Sequence, residues 1–562
     1  MNTTIETSST LQATLSSVVE SAEFLSVLDQ IRRGARVISI SGLVASPARA
    51  LVLAALQKET EKQFALVVPA QRDLENWERD VSFWYSALCG AQESDGAITV
   101  LPASESDPYA GGSPHAETLE RRALALWRLA RHQRSGTGVP PVNHAQDARA
   151  TDFVILTSRA LARRTIAPDE IAKAGALLRR DEDTAPEGLV EKLLAAGFVR
   201  EDPVGAVGEF SMRGGILDVW PPGHGAPARI EFFGDTVDSI REFDPETQLS
   251  TTQLPQIEIA PMRELIVTAR DFREWASHAR MRWREERFAR SLRDRTVFAD
   301  EGEEFPGWEW LISLLREQHS TVFDYVKDAV LVIDEPVAVE EFLATAFQTV
   351  EQRFAETDAA DDLGLRPDEL YLTADELRSR IDQRQRVEMR ALGRTMTKFD
   401  QEIALDAEQP KISVGKERAR KQPLFLFPHV RAAGAAADPE VEWKAQSVMR
   451  YHGRLPELAR DVIDRHANFK ATTLFVMPSR GVAERVAEIL RDYEVNARLT
   501  SFEDTSESPT VDAVVTFGKL SGGFELPSAR LVVHVEGDLF DEAAEPALER
   551  RSTAIKREKK RR

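Results

Sequence analysis

Three features of the chain predict an α/β multidomain protein. Short apolar runs alternate with helical stretches towards both ends, the pattern of a parallel sheet covered by helices. A glycine-punctuated stretch of alternating apolar and polar residues interrupts that pattern in the middle and reads as a β-meander. The third feature is length: 562 residues make about three to four domains at roughly 150 each.

Residues 1–20 are polar and rich in Ser and Thr, and are expected to form a disordered lead. Val37–Ile40 is the first predicted strand, followed by a loop, a helix from Ala48 and a strand at Phe64–Val68. Ile98–Leu101 and Phe153–Leu156 read as further strands, with a helix over Ala116–Arg131 between them. Residues 134–151, full of Gly, Pro and small polar side chains, read as an insertion in a surface loop. After Pro168 short amphipathic helices fill 169–200, and the meander occupies 207–250. Residues 260–410 read as long charged helices broken by one strong strand, Ala329–Ile333. A bridge from Lys411 to about Leu455 leads into a last α/β unit. Its predicted strands are Thr472–Met477, Ala513–Phe517 and Leu531–Val535, with a helix over Arg480–Tyr493.

Composition narrows the function. A single cysteine, Cys89, supports neither an intramolecular disulfide nor a cysteine-based zinc site. No HxxxH or HExxH spacing joins any of the ten histidines, so no metal ligand set is visible and no cofactor is expected. The longest apolar run, Ala50–Leu56, falls far short of the roughly 20 residues a bilayer needs. The first basic residue is Arg32, which leaves the N-terminus without the charged start of a signal peptide. A cytoplasmic protein without membrane contact is expected. With 92 acidic and 72 basic side chains the net charge is −20, which opposes binding to a phosphate backbone. The exception is the cluster Arg550, Arg551, Lys556, Arg557, Lys559, Lys560, Arg561 and Arg562, read either as a solvated linker helix or as a nucleic-acid contact.

No catalytic residues are expected. A phosphate loop reads GxxxxGK[ST], because its backbone N–H groups and its lysine cradle the phosphates. At the first strand-to-helix turn this chain begins correctly with Gly42. It then has Pro47 for the second glycine, Ala48 for the lysine and Arg49 for the magnesium-holding hydroxyl. Pro47 also removes an N–H donor. Val330–Glu335 has the shape of a Walker-B strand, and reads either as that or as a buried strand ending in two solvated carboxylates. No GxSxG or partnered Cys suggests a hydrolase.

The meander is more informative. Strand alternation over Ala228–Phe233 puts Ile230 and Phe232 on one face, and Arg229, Glu231 and Phe233 on the other. The Ile/Phe face is the core side. Gly234-Asp235 turns the chain into a hairpin, and Arg213 lies on the preceding strand beside Gly214 and Gly215, which would let a backbone approach closely. A phenylalanine flanked by arginines on a solvent-facing sheet has the make-up of a protein-binding hot spot. A core phenylalanine covered by another part of the chain fits the pattern as well.

The stretch GEFSMRGGILDVWPPG…PARIEFFGDTVDSIREFDPETQ resembles the signature shared by the excision-repair protein UvrB and the bacterial transcription-repair coupling factors. Further segments are similar to the coupling factors in particular. They are Leu101-Pro102 with Asp107-Pro108-Tyr109 and Ser113-Pro114, the eroded phosphate loop, Pro306–Trp310 with Thr321–Tyr325, and Phe517–Phe524 with Val535–Phe540. The resemblance covers about residues 35–545. It implies a degenerate helicase-like (RecA-type) α/β domain in two parts, 21–170 and 252–410. An α+β UvrA-binding domain at 171–251 would be inserted between them, with a small separate α/β domain at 411–545 and a basic linker at 546–562. It also implies that Arg213, Arg229 and Phe233 contact UvrA, the trio that alternation singles out. The polymerase-interacting domain and ATP-driven DNA translocase of the family would follow the linker, so the chain is expected to stop short of them. RNA polymerase and DNA would be partners only through those parts. The expected function is an adaptor that brings UvrA to stalled RNA polymerase in transcription-coupled nucleotide excision repair. The alternatives are a UvrB-like ATPase acting on damaged DNA and a stand-alone regulator of UvrA from a split gene.

Overall fold

A computed structural model describes residues 10–90, 96–135, 151–316, 318–391, 424, 426–427, 440–502 and 511–540. Most of the expected loop insertion, much of the bridge after Lys411 and the whole basic cluster lie outside the described residues. Among the described residues no helix is long and apolar enough to cross a membrane.

The first framework is a seven-stranded, all-parallel sheet. Its order is Val441–Glu442, Val37–Ser41, Arg386–Arg390, Val330–Asp334, Phe64–Val68, Phe153–Thr157 and Ile98–Leu101. Parallel strands covered on both faces read as continuous apolar runs, which is why Phe64–Val68 is fully buried over all five residues. Alternate residues of that strand feed two cores. Ala65 and Val67 join Trp127, Trp275 and Trp308 on one side, while Phe64, Leu66 and Val68 join Trp77, Trp84 and Trp443 on the other.

Arg386–Arg390 departs from the sequence reading, which has only charged helices here besides Ala329–Ile333. It lies inside the sheet, between Val37–Ser41 and Val330–Asp334. Val387 and Met389 fill one core, and the charged residues alternating with them pair through Glu388: Arg386 Nε meets it at 2.9 Å, and Arg390 Nη2 at 2.7 Å. Burial alone would raise the Glu388 pKa, but Arg390 and Arg386 hold it below the usual carboxylate range. The expected disordered lead is also corrected in part. Thr10–Val19 is a helix, with Leu11, Leu15 and Val18 buried at i, i+4, i+7 spacing.

Between Phe153–Thr157 and Val330–Asp334 the chain leaves this sheet and builds a second one. Six strands run in the order Ser250–Gln253, Thr236–Phe243, Ala228–Phe233, Ile216–Val219, Glu209–Arg213 and Val199–Arg200. They pack on the helix Pro186–Ala195 around Phe198, Phe210, Leu217 and Ile230. Gln256–Ile259 pairs antiparallel with Ala176–Arg179, and its Ile257 and Ile259 enter the same core. The inserted module thus extends past the expected boundary at 251. Where the chain returns, buried Glu264 accepts from Arg122 Nε and Nη2 (both 3.2 Å) and from Thr165 Oγ1 (3.0 Å).

The last unit is a five-stranded sheet in the order Ala497–Leu499, Ala513–Phe517, Thr472–Met477, Leu531–Val535 and Phe524–Leu526, parallel except for the final pair. The sequence reading makes it a separate domain; it has a core of its own on one face, around Phe475, Val486 and Val515, while its other face packs on the first framework. Leu474, Val514, Phe524 and Val533 share one core with Trp84 and Leu66 of the first framework. Rings of the two units meet directly, Phe83 with Phe502 at 5.7 Å and Trp84 with Phe524 at 6.0 Å.

Candidate functional site

Two places invited a functional reading, the hairpin sheet and the phosphate-loop turn. On the hairpin, Ala228 and Ile230 are fully buried and Phe232 packs partly against the module core, so the expected inner face is the inner face. A bulge after Glu231 lies in the partner strand, where Phe232 pairs with Val237 and Glu231 with Ser239, so alternation along Ala228–Phe233 is preserved. Phe233 therefore points outward and is 85% exposed. Gly234, at φ +62°, takes the left-handed position of the two-residue turn.

The structure brings Arg213 and Arg229 together on one carboxylate that the sequence reading did not single out. Asp218, 2% exposed, stands opposite Arg229 in the register. It accepts Arg229 Nε at 2.7 Å and Nη2 at 2.9 Å, a bidentate fork, and Arg213 Nη2 at 3.3 Å. The two arginines are not equivalent. Arg229 also donates to the Gln248 carbonyl at 3.4 Å and lies 4.7 Å from the centroid of the buried Phe243 ring, leaving its side chain 20% exposed. Among the described residues Arg213 reaches only Asp218 and Asp202, both at more than 3.2 Å, and keeps 56% exposure. The Asp218 hydrogen bonds push the Arg229 pKa further up, so that guanidinium is a permanent cation. The signal for Asp218 was present, because it shares a face with Arg213 by strand alternation across Gly214-Gly215. Of the two glycines, Gly215 admits the chain's own backbone: a Cβ there would lie 2.8 Å from the Phe232 carbonyl, and Gly215 O accepts Phe232 N–H at 2.7 Å.

The phosphate-loop turn is closed. Gly42 takes φ +82°, as the tight turn requires, but a Cβ there would meet the Trp443 carbonyl at 1.8 Å. Pro47 and Ala48 sit buried in the first turn of the helix Ser46–Thr60. Arg49 runs beneath them, donating to the Leu43 carbonyl at 2.6 Å, to Glu335 at 2.5 Å and to Asp334, whose other oxygen takes Trp77 Nε1 at 3.0 Å. The two carboxylates of the Walker-B-like strand are thus bound to a guanidinium and are not the solvated pair of one sequence reading. Beside them Asp80 accepts Ser46 Oγ at 3.1 Å and, from the last unit, the Ser521 N–H at 2.7 Å and hydroxyl at 2.6 Å. No cluster of His, Cys, Asp and Glu among the described residues could hold a metal ion.

Residues 177–265 match the UvrB interaction domain family, which covers the six-stranded sheet and the return strand Gln256–Ile259. The transcription-repair-coupling factors of Myxococcus xanthus and Bacillus subtilis are each 26% identical to the chain. They align over 542 and 549 residues, or 92% and 93% of it. That of Haemophilus influenzae is 26% identical over 68% of the chain. The chain spans 40% of the length of the first two relatives. Along nearly its whole length the chain is similar to transcription-repair-coupling factors, and its residues 177–265 match the UvrB interaction domain.

Proposed function

We propose that this chain is an ATP-independent docking module for UvrA in transcription-coupled nucleotide excision repair, with its contact surface on the outer face of the hairpin sheet. The observation that carries the reading is Phe233, 85% exposed at the end of a strand whose arginine is forked onto a buried carboxylate. A large apolar side chain held out beside fixed cations is what a binding hot spot needs and what a folded core does not tolerate. Arg213, with donors to spare, serves as the charged contact, and Arg229 as the more deeply held member of the pair. In this reading the Gly42–Arg49 turn binds no nucleotide, because the Arg49 guanidinium already satisfies Asp334 and Glu335. That speaks against a UvrB-like ATPase. Engagement of RNA polymerase and movement on DNA are assigned to surfaces other than those described.

Calorimetric titration of the chain with UvrA, without nucleotide on the chain, tests this. Saturable binding that is lost in Phe233→Ala and Arg213→Ala, both still folded, is the expected result. Absence of binding by the folded wild type overturns the reading.

A further inference from the structure

Ile216 opens the strand Ile216–Val219, and it alone of those four residues is exposed, at 39%, while Leu217, Asp218 and Val219 are buried. The register places it opposite Arg213 on one side and Glu231 on the other. Directly opposed residues in a sheet point to the same face, so Ile216 is on the outer face together with Asp218 and, two residues beyond Glu231, Phe233. Its flanking side chains are drawn away from it. Glu231 accepts Ser239 Oγ at 2.8 Å and pairs with Arg241 at 3.6 Å, both on the far strand. Arg213 is drawn towards Asp202 and Asp218. The hydrogen bond from Phe232 N–H to Gly215 O holds the start of this strand against the strand of Phe233. An uncovered branched aliphatic side chain is thereby fixed between the exposed phenylalanine and the exposed arginine.

We propose that Ile216 is a third contact residue of the docking surface. With Phe233 it enters an apolar socket on UvrA whose rim carries a carboxylate facing Arg213. This inference rests on the UvrA-docking reading and adds to it a residue and a partner chemistry. An isolated ring on a flat sheet presents little area, whereas two apolar side chains on adjacent strands can seat in one desolvated pocket, where binding energy concentrates.

The test is titration of UvrA with the full chain carrying Ile216→Glu, Ile216→Ala, Phe233→Ala or Leu194→Glu, each checked by thermal unfolding. Leu194, 50% exposed on the helix Pro186–Ala195, is the control for an added charge on the same module. Ile216→Glu is expected to weaken binding at least about tenfold and Ile216→Ala about fivefold, with unfolding unchanged and Leu194→Glu at wild-type affinity. Should Ile216→Glu fail to fold, the alanine variant decides alone. Wild-type affinity in the Ile216 variants alongside loss in Phe233→Ala overturns this proposal and leaves the docking reading standing. Equal loss in Leu194→Glu overturns it too, as an effect of charge alone. Undiminished binding by Phe233→Ala overturns the docking reading, and this proposal with it.

Discussion

Two of the chain's arginine–aspartate pairs are built to opposite ends. At the phosphate-loop turn Arg49 and Asp334 are both under 10% exposed, and the guanidinium is taken up by Asp334, Glu335 and the Leu43 carbonyl. On the hairpin sheet Asp218 is just as buried, but the guanidiniums it holds lie at 20% and 56% exposure under an open rim. The same ion pair plugs one site and frames the other. What separates them is what lies above: Trp443, next to the edge strand Val441–Glu442, and Ser521 of the last unit cover the first, and no described residue of the chain covers Phe233.

Breaking the plug gives the largest expected effect. Arg49→Ala strands two carboxylates and is expected to cost about 3–5 kcal/mol of stability, the range for one partner lost from a buried pair. Denaturant unfolding measures it; a loss under about 1 kcal/mol would mean the pair is not sealed. Breaking the frame shows up in binding instead. Phe233→Ala is expected to weaken UvrA binding by about 2 kcal/mol or more while changing stability by less than about 0.5 kcal/mol.

A pH titration sharpens the contrast from the buried side. His534 is stacked on Phe475 in the last unit, and burial, with Arg465 adding to it, pushes its pKa down to about 3. The unfolded chain therefore binds the proton first. Stability is unaffected above about pH 6.5 and falls as pH drops towards 3. The loss by pH 5 is about 2 kcal/mol, at roughly 1.4 kcal/mol per pH unit. Unfolding midpoints at pH 7.5 and 5 measure this, and His534→Phe should flatten the difference. The smallest effect belongs to the rim. Arg241, half-exposed and 3.6 Å from Glu231, is expected to change stability by no more than about 0.5 kcal/mol when replaced by alanine. A larger loss in Arg241→Ala would show the rim to be as tightly framed as Asp218.

How much of this the sequence disclosed depended on how locally each feature is determined. Phe64–Val68 was legible because a strand buried on both faces must be apolar throughout. The outward direction of Phe233 was legible because side-chain alternation needs only neighbouring residues. Arg386–Arg390 was not: three of its five residues are charged, and their compensation by one another appears only once the strand is inside a sheet. Thr10–Val19 was missed because its Ser and Thr content outweighed the spacing of three apolar residues. The contacts of Trp443 with Gly42 and of Ser521 with Asp80 span some 400 residues of chain, and nothing near either end signals them. The missing member of the hairpin site, Asp218, was a matter of following alternation one strand further.

The interleaving of the first sheet has a consequence for how the molecule is made. Arg386–Arg390 sits between strands that leave the ribosome some 350 and 55 residues earlier, and Trp443 closes the N-terminal turn later still. Contacts so distant in sequence form slowly, and only after the last of their partners has been synthesised. The six-stranded module, with a core drawn from residues 176–266, has all its strands by then. During synthesis the sheet proposed as the docking surface is complete while the framework that carries it still lacks a central strand, so a chain interrupted near residue 385 would display that sheet on an unfinished body.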